Sequence, residues 1–149
     1  DPRDKLLNKI HRALLISNNE LPLTTGEQEV DILAIGDAVM GIALAAKRVF
    51  DLPPHSFERY RLSSGKIRTV KELVKFALQA ARKSHPTEVD SLRLLWGALP
   101  YRKREVFQIP QLTPGLPGFK AQADLDIALE EFFSLNPSEL TPNTNRPIS

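Results

Sequence analysis

Three histidines, His11, His55 and His85, stand 44 and 30 positions apart, without the close spacing that lets imidazoles share a metal. Cysteine is absent, which removes disulfide frameworks, thiolate zinc sites and thiol nucleophiles together. Tyr60 is followed four residues on by Ser64, and Tyr101 by Glu105, so neither heads a Tyr-x-x-x-Lys pair. A G-x-S-x-G elbow, a Walker loop and a dinucleotide fingerprint are also missing; the one close pair of glycines, Gly115 and Gly118, is followed by no suitable helix. Asp124 and Asp126 have the placement of helix-start carboxylates rather than of a general acid and base. What remains is cationic. From Arg59 to Lys83 there are eight basic residues (Arg59, Arg61, Lys66, Arg68, Lys71, Lys75, Arg82, Lys83) and one acid, Glu72. Arg102, Lys103 and Arg104 form a second knot. Such a surface is either a solvated helix face with strand ends or an attractor of anions, whether nucleotide phosphates or nucleic acid.

The chain that must position these groups has 149 residues, 42% hydrophobic and 26% charged, with a net charge of +2. That suits one globular domain, able to bury roughly 70% of its unfolded surface without staples. No run of about 18 apolar residues occurs, so no membrane-spanning helix is expected. Seven glycines stand against twelve prolines, and the first glycine is Gly26. The sequence opens at Asp1 with neither a methionine nor a signal-peptide pattern.

Periodicity places an amphipathic helix over Asp1 to Ile16, with Leu6, Leu7, Ile10 and Leu14 on one face and Asp4 near its start. Asn18-Asn19 ends it. Leu21 to Thr25 reads as a short extended piece closed by Gly26, and Asp31 to Ile35 as a strand or buried loop. Asp37 reads as the N-cap of a helix reaching Phe50, buried on most sides because residues 38–46 are apolar or small. Phe57 to Leu62 alternates like a strand before the turn Ser63-Ser64-Gly65. Thr69 and Glu72 form a capping box, opening a helix with Val70, Leu73, Val74, Ala77, Leu78 and Ala81 on one stripe. Leu92 to Trp96 reads as a strand, Pro100 to Gly118 as ordered loop, and Asp124 as the cap of a last helix carrying Leu125, Ala128, Leu129, Phe132 and Phe133. The order favours an α/β or α+β arrangement with few strands.

Four segments carry a resemblance when taken in order. LPLTTGEQEVDILAIGDAVMGIALAA (Leu21–Ala46) is similar to a P-L-x-x-T-x-G-E-Q-x-R-D-F-I-x-V-D-D-V pattern. RLSSGKIRTVKELVKF (Arg61–Phe76) is similar to a strand, Ser/Gly turn and V-x-E-L helix. GALPYRKREV (Gly97–Val106) and LPGFKAQADLDIALEEF (Leu116–Phe132) resemble G-A-L-P-Y-R-x-x-E and L-G-W-x-P-x-x-x-L-x-E-G-L. Together they total 69 residues within the stretch 21–132 of the 149. They resemble the C-terminal half of extended short-chain dehydrogenases/reductases, the NAD-dependent sugar-nucleotide epimerase/dehydratase family, the third in its form from bacterial deoxysugar members.

The resemblance implies an α/β class, mixed α+β in this chain. It would be the C-terminal substrate-binding part (1–136) of an extended Rossmann-type dehydrogenase, without the dinucleotide-binding half, followed by a polar Pro-rich tail (137–149). Asp1-Pro2-Arg3 matches the residues just after the family's Y-G-P segment. It further implies that Arg102 contacts the diphosphate, that Glu105 reaches the nucleotide ribose, and that Leu23 and Thr24 lie beside the base. No catalytic residue, metal or cofactor is expected in this chain; NAD or NADP belongs to the full-length enzyme, a cytoplasmic one. The expected partners are a nucleotide sugar, the missing Rossmann half and, for the isolated chain, a second copy covering parts of the 38–46 helix and the 31–35 run. The chain departs from the pattern at three places. Val30 replaces the arginine of the R-D pair, Ile32 the aromatic, and Gly36 the first aspartate of V-D-D, while Asp31 and Asp37 remain. Arg59, Arg61 or Arg104 would have to compensate for the lost arginine. The competing readings are a stand-alone module that kept the fold without the enzyme, and a nucleic-acid-binding domain using the 59–83 stretch.

Overall fold

The computed structural model describes residues 5–16 and 19–135. Asp4, Asn18 and the 137–149 tail lie outside the described residues. The elements are α1 (Leu6–Leu15), β1 (Glu20–Pro22), β2 (Glu29–Asp31), α2 (Ile35–Val49), β3 (Ile67–Thr69), α3 (Val70–Ala81), α4 (Pro86–Ser91), β4 (Arg93–Leu95) and α5 (Leu125–Ser134). The chain is thus mixed α/β, with five helices and two two-stranded sheets among the described residues. β1 runs parallel to β4 with Leu21 opposite Leu94, and β2 antiparallel to β3 with Val30 opposite Arg68.

The residues group into two compact units. One takes the described residues up to Thr25, Val74–Pro100 and those from Asp126 on; the other takes Gly26–Leu73 and Tyr101–Leu125. In the first, α1 packs on β1 and α4. Its core is Ile10, Leu14, Leu21, Leu23, Val74, Ala77, Val89, Leu129 and Phe133. The 3.6-residue period of α1 and of the stripe on α3 accounts for Ile10, Leu14, Val74 and Ala77. His11 sits in this core at 1% exposure, its ring 5.4–5.8 Å from those of His85, Phe132 and Phe133. Neither of its nitrogens has a hydrogen-bond partner, whereas His85 Nε2 lies 2.9 Å from the Phe133 carbonyl. Pro86 opens α4, a helix that the sequence pattern alone does not reveal; its fixed φ suits the first helical turn as well as it stops a preceding helix.

The second unit starts α3 with the expected box: Glu72 Oε2 accepts from the Thr69 N–H at 2.8 Å, and Thr69 Oγ1 from the Glu72 N–H at 3.2 Å. Four expectations are corrected here. The extended run is β2 over Glu29–Asp31, with residues 32–34 a half-buried loop leading into α2. Asp37 is not the cap of α2. The helix starts two residues earlier, Ala34 stands at the N-cap, and the Asp37 side chain reaches backbone in another segment. Phe57–Leu62 forms no strand; only a bridge between Arg61 and Gly115 survives. Its partner run carries Pro114 and Pro117, which have no N–H with which to extend a ladder. The strand is β3, beyond the Ser-Ser-Gly turn.

The fourth correction concerns α2. It is not buried on most sides: Asp37 and Gly41 are its buried residues, while Ile35, Met40 and Phe50 are 82%, 68% and 89% exposed. Close packing does occur at Gly41, where a Cβ would come within 2.7 Å of both Leu62 methyls. The C-terminal end of α2 is tied down by Arg48, which holds Glu58 at 2.7 Å and the Tyr60 hydroxyl at 3.0 Å.

Candidate functional site

Arg102, Lys103 and Arg104 lie exposed on a turn closed by the Glu105 N–H donating to the Arg102 carbonyl at 3.2 Å. That turn is anchored on both sides. The Tyr101 hydroxyl accepts from the Glu27 N–H at 3.1 Å, and the Tyr101 ring meets Phe107 edge-on at 4.8 Å. Glu29 donates its N–H to the Phe107 carbonyl at 2.9 Å and accepts from the Ile109 N–H at 2.8 Å through Oε2. A loop rich in cations is therefore fastened along β2 and the residues before it. None of its three cations is in an ion pair among the described residues. A guanidinium on such a support can offer two parallel N–H donors to phosphate or carboxylate.

The two faces of β2 have different chemistry. Val30 is paired with Arg68, and directly opposed residues project to the same side of a sheet. A cation thus stands one strand away from the position where the resembled sequence pattern has arginine. Arg68 is not one of the three arginines that the sequence suggests for compensation; only the register reveals it. Arg61, one of those three, pairs with Gln111 and lies close enough to Asp31 to influence it. Asp31 accepts from the hydroxyls of Ser63 and Ser64 and from the Ser64 N–H. Burial pushes its carboxyl up, but these hydrogen bonds and the Arg61 charge outweigh that and hold it below the usual aspartate range.

Of the residues singled out from the sequence, Arg102 and Glu105 share one turn. Leu23 and Thr24 belong to the other unit. Leu23 is 5% exposed, donates its N–H to the Leu95 carbonyl and accepts from the Leu99 N–H, both at 3.0 Å. Its side chain is core. The long basic stretch is dispersed: Arg82 pairs with Asp90 and Lys83 with Glu130. Among the described residues no group of three or more His, Asp or Glu could hold a metal ion, and no helix is long and apolar enough to cross a membrane.

Among the described residues, the segment with the close pair of glycines does not have the form of a dinucleotide cradle. Gly115 and Gly118 lie in the loop before α5, which begins only at Leu125, so no strand–turn–helix directs backbone N–H groups at a pyrophosphate.

No protein-family model and no curated protein matches the chain. Among solved structures, the crystal structure of PbgP3 protein from Burkholderia pseudomallei is similar in fold. It has a TM-score of 0.57 and 14% sequence identity, with 85% of this chain covered. The similarity covers 37% of that chain, so the present chain spans little more than a third of its length.

Proposed function

We propose that the chain is the sugar-nucleotide-binding portion of an NAD(P)-dependent epimerase, dehydratase or reductase, and performs no redox chemistry alone. The observation that carries this reading is the arrangement on β2. An exposed Arg102–Glu105 turn is fastened beside the strand, and Arg68 stands opposite Val30 on the neighbouring one. In this reading Arg102 donates paired hydrogen bonds to the diphosphate and Glu105 accepts from a ribose hydroxyl. Arg68 supplies the positive charge that the family places one strand away. Support comes also from the order of the four resembling segments and from the fold shared with part of PbgP3. The redox cofactor would bring the hydride and belongs to the rest of such an enzyme.

A second support is the imbalance of the unit that carries the site. Its buried apolar residues are Val70, Leu73 and Leu116, while α2 and its end expose Ile35, Val39, Met40, Ile42, Val49 and Phe50. An uncovered apolar face of this kind suits a segment that works packed against another body. The cofactor-binding half of the same enzyme is the proposed occupant.

The test is an amide NMR titration of the 149-residue chain with UDP-glucose and with dTDP-glucose. Saturable shifts centred on Arg102–Glu105 and on β2 and β3 are expected, and Arg102→Ala should weaken binding about tenfold, a loss of about 1.4 kcal/mol. Absence of shifts at millimolar ligand, or equal binding by the variant, overturns the reading.

A further inference from the structure

The unit that carries the Arg102 turn also contains a groove of about 700 Å³, within the range of small-molecule sites. Its walls come from the 32–34 loop, the Ser63–Gly65 turn and the 119–125 segment; Arg102 and Glu105 do not line it. We propose that this groove binds a phosphate monoester with an apolar or aromatic body, a site that shares Arg68 with the sugar-nucleotide reading but does not rest on that reading.

The charge in the groove is the first argument. Arg61, Lys66, Arg68 and Lys120 line it against two acids, Asp37 and Asp124. Asp37 is already committed, with each carboxylate oxygen accepting one backbone N–H. Lys66 and Lys120 are exposed and take part in no ion pair among the described residues. A phosphate monoester carries about −1.5 to −2 charge at neutral pH, which matches two lysines better than a single carboxylate would.

The second argument is an unsatisfied donor. Arg61 donates through Nη1 to Gln111, but its Nε is buried and has no partner. A buried donor left unpaired is costly, and because Nε is closed to solvent here, the Arg61 side chain must turn for an anion oxygen in the groove to satisfy it.

The Ser63-Ser64-Gly65 turn cannot supply the donors itself. Its hydroxyls point to Asp31, and the Gly65 and Lys66 N–H groups donate to Ser63 Oγ and Ser64 Oγ. Gly65, at φ 75°, lets the chain make this closed turn. Recognition therefore falls to the side chains, Arg61 with the two lysines. The remaining wall is apolar, with Leu33, Phe119 and Leu125, which explains why the ligand should be an ester and not the free ion.

The experiment titrates the whole chain with phenyl phosphate, inorganic phosphate and benzyl alcohol, followed by amide NMR. Phenyl phosphate should shift Gly65, Lys66 and residues 119–123, with inorganic phosphate weaker and benzyl alcohol without saturable effect. Lys66→Ala with Lys120→Ala, both at exposed positions and so mild for the fold, should weaken phenyl phosphate about tenfold or more. Arg61→Gln should weaken it further, and Arg102→Ala should leave it unchanged. No shift at the groove overturns the proposal, as does undiminished affinity in the double lysine variant or equal binding of benzyl alcohol. Because Arg102→Ala reports on the other site alone, failure of one reading leaves the other standing.

Discussion

Asp37, third residue of α2, holds the backbone N–H groups of Gln122 and Ala123, one on each carboxylate oxygen and both at 3.0 Å. The contact joins residues 85 and 86 positions apart and fixes the segment that forms one wall of the groove. A first-turn aspartate also suits the positive end of the helix dipole. Asp37→Ala leaves two donors without an acceptor and should cost about 3 kcal/mol or more, since each hydrogen bond to a charged group contributes about 1.5–3. Asp37→Asn, which keeps one acceptor, should fall between. Urea unfolding of the three proteins checks the order; an alanine variant as stable as the parent would mean the clamp carries no weight.

Asp31 predicts an acid limb in the stability profile. Its folded carboxyl titrates below its ordinary value of 3.8, so the unfolded chain binds the proton more tightly. The stability it contributes is complete above that value and is lost as pH falls through the lower folded one. Asp31→Asn should flatten this part of the profile and lower stability at neutral pH, because an amide is a poorer acceptor for two hydroxyls and an N–H. Thermal melts between pH 2 and 7 would show it; parallel profiles for the two proteins would contradict it.

How much of the structure is readable from the sequence depends on whether the cause lies in the local chain. The Thr69–Glu72 box and the stripe on α3 are legible because both partners sit within a few residues. The same holds for the turn at Gly65 and for α5. Asp37 misleads because an aspartate before an apolar run fits a cap, and nothing nearby announces Gln122 and Ala123 as its partners. β3 escapes notice because Ile67–Thr69 owes its extended form to pairing with Glu29–Asp31, a distant segment. At the site, Arg102 and Glu105 stand out from their motif. Arg68 emerges only once the register sets it opposite Val30.

His11 predicts a different pH window. Burial first, and then the neighbouring His85, keep its imidazole below the ordinary value of 6.5. Protonation therefore favours the unfolded chain. Stability is complete above that value and declines as pH falls from it toward the lower folded one, well before Asp31 titrates. His11→Leu removes two buried nitrogens that have no partners while keeping an apolar side chain among Phe132, Phe133 and Ile10. The variant should be more stable by about 1 kcal/mol at neutral pH, and its stability should no longer change between pH 6.5 and 5. Chemical denaturation across that range decides; an unaltered slope would place the acid sensitivity elsewhere.

The exposed face of α2 predicts association of the isolated chain. Val39, Met40 and Ile42 are more than half exposed on one helix, and Ile35 and Phe50 flank them. Removing a Leu- or Met-sized side chain from water is worth about 1.5–3 kcal/mol, so a few such residues covered together can hold two copies at micromolar to millimolar concentration. Light scattering should therefore show a mass that rises with protein concentration. Met40→Lys with Phe50→Ser should shift the chain toward monomer without loss of helix content, since neither side chain contributes to the core. If the parent chain stays monomeric at millimolar concentration, the apolar face lacks the affinity that its composition implies. The cover proposed for it, the cofactor-binding half, would then have to be held by other contacts.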